Sequence, residues 1–240
     1  MSSRILLEVA VATLADAQTA QAAGADRLEL NAALELGGLT PSIGTVELVK
    51  AACRIPVIAM VRPRPGGFVY SSAERATMER DCDHLLAAGV AGVAFGFLSA
   101  DRTIDVSATR AFVNRIGSGP ECVFHRAFDL TPDPAVALAT LIDLGVTRVL
   151  TSGQATAAPD GTTVIKRLVI QAANRTEILP GAGITPENVA QLIADTGVHQ
   201  VHGSLSVVRS DPGQPVCPGE YRVTCAKRVA AARRAIDALL

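Results

Sequence analysis

The sequence predicts a single (β/α)₈ barrel, the TIM-barrel fold, over residues 1–240. Short β-branched runs alternate with Ala-rich helical stretches along the whole chain, which is typical of a parallel sheet with crossover helices. The unit repeats about every 30 residues, so the chain has room for eight of them. Several predicted helices end at a Gly, which tolerates the left-handed conformation of a helix C-terminus, and the next strand starts soon afterwards.

Eight strands are predicted in order along the chain. They are Ile5–Val11, Arg27–Asn31, Val57–Arg62, Gly92–Phe97, Glu121–Arg126, Arg148–Ser152, Glu177–Leu179 and Gln200–Gly203. The helices with a following Gly are Thr13–Ala23, Ala73–Ala88, Pro134–Leu144 and Pro186–Thr196. Gly213–Gly219 is predicted as a loop at the functional end of the barrel, and Val223–Leu240 as the last barrel helix. An open doubly wound sheet is the main alternative, but no G-x-G-x-x-G turn follows the first strand.

Composition excludes several classes of partner. The net charge is -1 and no basic block occurs, so neither nucleic acid nor an anionic membrane is an expected partner. The first apolar stretch is interrupted by Glu8, unlike a signal-peptide core, and no apolar run of about 18 residues occurs. Five scattered cysteines without a C-x-x-C pair are typical of reduced thiols. We therefore expect a cytoplasmic protein, and a homodimer or tetramer would be an ordinary assembly for a barrel.

Polar residues gather at the predicted carboxyl ends of the strands, where barrels of this kind build their active sites. They are Glu8, Glu29, Asn31, Arg62, Arg64, His125, Arg126, Asp129, Thr151, Ser152, His202 and Ser204. Glu8 and Glu29 lie in otherwise apolar strands, so we expect them to point into the barrel and to meet the arginines or His125. The alternative is a layer of internal ion pairs that only fills the barrel.

Two arginines follow the third predicted strand, in the segment from Val61 to Ser71. Arg62 and Arg64 are two residues apart and so lie on the same side of an extended chain, where they could hold one carboxylate or phosphate. The Pro and Gly residues after them predict a shaped loop over the barrel mouth. In the alternative interpretation Arg64 is an exposed loop residue.

A histidine near a carboxylate ends the fifth predicted strand. His125 is four residues before Asp129, with Arg126 between them, and imidazole is the side chain best suited to exchange protons near neutral pH. We therefore predict that His125, with Glu8 or Glu29, transfers protons. The alternative is a core histidine.

Glycines and hydroxyls mark the ends of the late strands. Thr151, Ser152, Gly181, Gly183 and Ser204 predict an anion site, because loops after strands seven and eight of such barrels often bind phosphate through backbone N–H groups. Tight turns explain the glycines equally well. No G-x-S-x-G motif is present, and all three lysines fall in predicted helices, so Schiff-base chemistry is not expected.

Several segments together resemble the CutC copper-homeostasis family. They are GADRLEL at Gly24–Leu30, GGLTPS at Gly37–Ser42, RPR at Arg62–Arg64, FHRAFD at Phe124–Asp129, LTSG at Leu150–Gly153 and GAGIT at Gly181–Thr185. The resemblance implies a cytoplasmic (β/α)₈ protein linked to copper handling, with copper(I) bound through cysteine in some members. The residues that match the family's polar mouth are Glu8, Glu29, Arg62, Arg64, His125, Arg126 and Asp129.

The chain departs from the family at two positions that often carry cysteine. Val9 and Asn31 stand there instead, and of the five thiols only Cys217 is predicted at the mouth. Because copper(I) selects sulfur ligands, we predict weak or no copper(I) binding at the mouth. Two hypotheses follow: a copper-homeostasis protein by family, or a metal-independent enzyme. The enzyme would hold a small phosphorylated or carboxylated substrate with its arginines and transfer protons with His and Glu. No cofactor other than copper is implied, and the metal ligands are unknown.

Overall fold

The computed structural model describes residues 4–210 and 219–239. Eight strands form one sheet in which every hydrogen-bonded pair is parallel, in the order β7-β6-β5-β4-β3-β2-β1-β8. Strands β7 and β8 lie side by side and bring the two ends of the sheet together. The strands are β1 Leu6–Val11, β2 Arg27–Leu30, β3 Val57–Met60, β4 Gly92–Phe95, β5 Glu121–Phe124, β6 Arg148–Thr151, β7 Glu177–Pro180 and β8 Gln200–Gly203. The predicted barrel is confirmed.

Eight helices surround the sheet. They are α1 Leu14–Ala22, α2 Ile43–Ala52, α3 Ser72–Ala87, α4 Val106–Ile116, α5 Pro134–Asp143, α6 Thr162–Ala172, α7 Val189–Thr196 and α8 Ala226–Asp237. The four glycines predicted to follow helices all have positive φ, as at Gly24 and Gly197. Ser71 and Glu74 form a capping box at the start of α3. Within the described residues, no helix combines the length and the apolar character needed to cross a membrane.

Successive side chains of each strand point alternately towards the helices and into the barrel, so the core has an outer part and an inner part. Leu7 and Val9 of β1 are fully buried in the large core that the strands share with the helices. Glu8, between them, points into the barrel and contacts β2 and β8. A small apolar cluster fills one side of the barrel interior, and it consists of Ile58, Met60, Ala94 and Val123. Polar residues of β1, β2 and β8, namely Glu8, Glu29 and His202, line another part of the interior.

The C-terminal region differs from the prediction. Two antiparallel strands, β9 Ser206–Ser210 and β10 Glu220–Thr224, form a hairpin after β8, and α8 begins only at Ala226. The predicted helix Val223–Leu240 is therefore wrong at its start. Thr224 continues the strand pairing and its N–H donates to a carboxylate oxygen of Asp16 at 2.7 Å, which attaches the hairpin to α1. Apart from Gly219, the predicted loop Gly213–Gly219 lies outside the described residues.

Candidate active site at the barrel mouth

A cavity of about 400 Å³ opens at the carboxyl ends of the strands. It brings together eight of the residues proposed from the sequence, namely Glu29, Asn31, Arg62, His125, Arg126, Gly183, His202 and Ser204. The other proposed residues do not line it. Glu8 lies beneath the floor of the cavity, and Gly181 packs under its wall. Behind Arg126 lie Thr151, Ser152 and Asp129. Arg64 lies in a loop outside the cavity.

An ion pair with a histidine above it lies beneath the floor of the cavity. Glu8 pairs with Arg27 and accepts a hydrogen bond at 2.7 Å from Nδ1 of His202. Burial alone would raise the pKa of Glu8, but the Arg27 charge and the His202 hydrogen bond outweigh it and hold that pKa well below its usual range. Glu8 thus points into the barrel as predicted, but its partners are Arg27 and His202 rather than Arg62, Arg64 or His125.

Glu29 is the carboxyl group that the cavity wall leaves incompletely paired. Its Oε2 accepts from Asn31 Nδ2 at 2.9 Å and lies 3.9 Å from His202 Nε2, whereas its Oε1 has no partner among the described residues. Burial and the negative charge of Glu8 raise the pKa of Glu29 above its ordinary value. Burial lowers the pKa of His202, but the charges of Glu29 and Glu8 outweigh it and raise that pKa. The carboxyl of Glu29 and the imidazole of His202 thus both hold their protons more tightly than the free side chains do.

Arg62 is a buried cation held by carbonyl groups. Its Nη1 donates to the carbonyl oxygens of Leu36, Gly37 and Gly38, at 3.1–3.2 Å, and its Nη2 donates to that of Gly66 at 2.8 Å. Within residues 4–210 and 219–239, no carboxylate forms a salt bridge with Arg62. The residue thus ties two mouth loops together and leaves its positive charge uncompensated at the cavity.

Arg64 does not share a ligand position with Arg62. Its guanidinium pairs with Glu74 at the start of α3, donates to the carbonyl oxygens of Gly67 and Val69, and lies 5.1 Å from the centre of the Tyr70 ring. The prediction that both arginines grip one anion is not supported, because Glu74 and the loop carbonyls already bind this guanidinium. Its alternative interpretation, a loop residue, agrees with the contacts.

His125 is buried and neutral. Its Nδ1 accepts a hydrogen bond from the N–H of Ala127 at 3.2 Å, so the ring proton is on Nε2, which has no partner in the described chain. Burial and the nearby charge of Arg62 lower the pKa of His125 to about 3. Gly96 provides the space for the ring, since a Cβ at position 96 would lie 2.6 Å from Cε1 of His125. The expected pairing of His125 with Asp129 does not occur.

Asp129 instead organises the loop after β6. It accepts from Thr151 Oγ1 at 2.5 Å, from Ser152 Oγ at 2.9 Å and from Arg126 Nε at 2.8 Å. Arg126 also donates to Ser152 Oγ at 3.0 Å and presents a half-exposed guanidinium to the cavity. Thr151, Ser152 and Asp129 are thus positioning residues for Arg126, and none of the three contacts the cavity itself.

The two proposed glycines have different structural roles. A Cβ at Gly181 would lie 2.6 Å from Leu150 Cδ1, so this glycine permits close packing beside His202. Gly183 has φ +70° and lines the cavity, and its carbonyl oxygen accepts from Asn188 Nδ2 at 2.9 Å. Ser204 lines the same wall. Phosphate binding by these loops stays a prediction.

The sequence did not single out the cavity residues of the hairpin, nor Arg27 below the floor. Ser206, Arg222, Val223 and Thr224 line the cavity from the β9–β10 side. Arg222 lies between the predicted loop Gly213–Gly219 and the predicted helix Val223–Leu240, so it belonged to no predicted element, whereas the structure places it in β10. Arg27 could have been found from alternation, since Arg27, Glu29 and Asn31 share one face of an extended chain.

Glu8, Glu29 and His202 offer ligand atoms within 4.8 Å of one another, the spacing that a metal ion needs. Their oxygen and nitrogen donors do not suit copper(I), which favours sulfur. Met60 supplies a thioether to the cavity wall.

Among the described thiols, Cys53, Cys82 and Cys122 are buried in the core outside the barrel interior. Cys225 follows Thr224 and precedes α8, so the prediction that it lies within the last helix is wrong. Cys217 lies outside the described residues.

Comparison with known proteins identifies the family. The CutC family model matches residues 5–207. A CutC family protein from Treponema denticola is 46% identical over 90% of this chain and 88% of the relative, and one from Caulobacter vibrioides is 42% identical over 98% of each.

Solved structures agree with both the family and the fold. A CutC from Streptococcus agalactiae, which is named for copper homeostasis, superposes with a TM-score of 0.79 at 33% identity, over 83% of this chain and 98% of the other. Phosphoribosylanthranilate isomerase from Thermotoga maritima, at 11% identity and a TM-score of 0.59, shows the barrel fold alone. With a family model over most of its length and relatives above 40% identity, the chain belongs to the CutC family.

Proposed function

We propose that this chain takes part in copper homeostasis and that it acts through the cavity at the barrel mouth. The first statement rests on membership of the CutC family and on the name of the Streptococcus agalactiae relative. The second rests on the cavity, in which histidines, a carboxyl group and arginines from separate strands converge. Convergence of this kind is the usual mark of a functional site in a barrel.

The chemistry of the cavity favours an anionic molecule over bound copper(I). Arg62 is buried without a carboxylate partner in the described chain, and Arg126 and Arg222 line the same cavity. A tight copper(I) site needs two or three converging sulfur atoms, whereas Met60 is the only sulfur-containing residue among the described lining residues. The protein would then influence copper through the small molecule that it binds.

Competition with a copper(I) chelator of known strength tests the metal part of this proposal. We expect affinity no tighter than micromolar for the native protein, and the same value for Met60→Leu, Cys217→Ser and Cys225→Ser. Sub-nanomolar affinity that one of these substitutions abolishes would restore copper as the direct ligand.

Copper tolerance of cells that lack the gene tests the physiological part. Restoring the native gene should restore growth at elevated copper, and restoring Arg62→Met should not, because the uncompensated cation would be gone. Arg64→Ala is the matched control, since its guanidinium is used in the loop outside the cavity. Equal rescue by Arg62→Met and Arg64→Ala would separate copper tolerance from the cavity.

A second candidate is a metal-independent enzyme for a small phosphorylated or carboxylated substrate. The observation that favours it is Glu29, a cavity carboxyl with a raised pKa whose Oε1 has no partner among the described residues, because a carboxyl group that is more basic than usual and faces a cavity is suited to proton transfer. Its test is a search for metabolites that raise the melting temperature of the native protein but not of Arg62→Met.

A further inference from the structure

We propose that the cavity binds a small 2-oxo acid whose oxygen accepts a hydrogen bond from Nε2 of an uncharged His125, and that Glu29 carries the proton. This inference rests on the second candidate function and assigns its residues. It reverses the role expected for His125, which becomes a hydrogen-bond donor rather than an acid or base.

The geometry around His125 leaves one group free to bind a ligand. The N–H of Ala127 occupies Nδ1, the backbone at Gly96 lies against the ring edge, and Phe68 packs on the ring with centres 4.8 Å apart. His125 lines the cavity, and Nε2 is buried without a partner in the described chain. Burying an N–H donor without an acceptor costs about 1–3 kcal/mol of free energy, so a hydrogen bond from Nε2 to a ligand oxygen would recover that free energy.

The surroundings of His125 select a negatively charged oxygen. Phe68 also contacts Arg62, whose guanidinium carbon lies 5.1 Å from the ring centre, so Arg62 and His125 flank the same aromatic side chain. The uncompensated Arg62 charge favours an anion at this position. A carboxylate or enolate presents fewer acceptor oxygens than a phosphate, so it matches the one partnerless N–H of His125 beside the Arg62 charge better than a phosphate does.

Glu29 is the group placed to move a proton in the same cavity. Ionised Glu29 would take a proton from the carbon next to the ligand's carbonyl group, and the electron pair of that C–H bond would move onto the carbonyl oxygen. The resulting enolate oxygen would be stabilised by His125 Nε2–H, as preorganised donors stabilise developing charge. Return of the proton from Glu29 to carbon completes the exchange, and no oxidant or reductant is needed.

Oxalate is the probe, because this planar dianion resembles the enolate of a 2-oxo acid. Titration calorimetry at pH 7 should show oxalate binding to the native protein. His125→Phe keeps a planar ring but removes the donor, and it should weaken binding at least tenfold, or about 1.4 kcal/mol. Arg64→Ala, which removes a guanidinium from the loop outside the cavity, is the matched control and should bind oxalate as the native protein does.

Nitrogen-15 NMR of the histidine rings gives a second measurement that needs no variant. His125 should show a proton on Nε2 and none on Nδ1 at pH 6, and the Nε2 signal should shift when oxalate is added. Absence of oxalate binding, equal affinity of His125→Phe, or a proton on Nδ1 of His125 would each overturn the inference. Tighter binding of inorganic phosphate than of oxalate, unaffected by His125→Phe, would also overturn it while leaving the second candidate function in place.

Discussion

Two charged layers inside the same barrel differ in how completely their members are paired. The lower layer, at the amino ends of the strands, consists of Glu8, Arg27, Glu121, Arg148, Glu177 and Gln200. Arg27 pairs with Glu8 and donates to Gln200 at 2.6 Å, and Gln200 donates to Glu177 at 2.6 Å. Arg148 pairs with Glu177 at 2.9 Å and also with Glu121. Every charge in this layer has an opposite charge beside it.

The upper layer, at the cavity, is built from similar residues but leaves several of their polar atoms unpaired. Arg62 has carbonyl partners only, and Glu29 Oε1, Asn31 Oδ1 and His125 Nε2 have none in the described chain. The buried members of the lower layer, which are Glu8, Arg27, Arg148 and Gln200, are as inaccessible as Glu29, Arg62 and His125, so burial alone does not distinguish a structural charge from a functional one. The comparison indicates that buried polar atoms without hydrogen-bond partners, rather than charged residues as such, identify the part of the barrel interior that can bind a ligand.

Removal of Arg27 should produce the largest loss of stability. Arg27→Met leaves Glu8 buried without its main counter-charge, and breaking such a pair costs about 3–5 kcal/mol. Urea unfolding at pH 7 measures the loss. The double variant Arg27→Met with Glu8→Gln should recover part of it. A loss of less than about 1 kcal/mol would mean that the lower layer does not stabilise the barrel.

The pH dependence of the free energy of unfolding should distinguish the contribution of His125 from that of the lower layer. Its pKa of about 3 in the folded protein lies below the ordinary value of 6.5, so the unfolded chain takes up the proton first as the pH falls. The stability that neutral His125 contributes is complete above pH 6.5 and is lost towards pH 3, by up to about 1.4 kcal/mol per pH unit.

Urea unfolding at pH 7, 6 and 5 would show this loss in the native protein. The loss should be smaller in His125→Phe than in the native protein and unchanged in Arg64→Ala. Above pH 4.5 the depressed pKa of Glu8 contributes no slope, and the raised pKa values of Glu29 and His202 contribute to all three proteins alike, so the difference between the native protein and His125→Phe measures the histidine. Equal slopes for the native protein and His125→Phe would show that His125 is charged in the fold.

Arg64→Ala should give the smallest effect. Arg64 pairs with Glu74 in an exposed loop, where solvent screens the interaction. Oxalate affinity should stay within about twofold of the native value, because exposed pairs contribute little and none of its contacts belongs to the cavity. A large loss of affinity would show that the loop, and not only Arg62, shapes the site.

The periodicity of the sequence was sufficient to predict the fold and the inward direction of Glu8 and Glu29, because each depends on local spacing. Pairing across the barrel was not predictable in this way. Arg27 meets Gln200 across 173 positions of the chain, and no local pattern reports which strand faces which. The lowered pKa of His125 was not predictable for the same reason, since it depends on burial and on Arg62 rather than on Asp129 nearby in sequence. The hairpin was missed because β10 continues directly into the sequence of α8.

The contact between Gly96 and His125 has an evolutionary consequence. A methyl group at position 96 would occupy the space of the imidazole, so an Ala there would turn the ring away and remove its donor from the cavity. Position 96 can therefore gain a side chain only if His125 is replaced or moved, so a functional imidazole at position 125 requires a glycine at position 96. A residue without any functional group thus limits which chemistries descendants of this barrel can acquire.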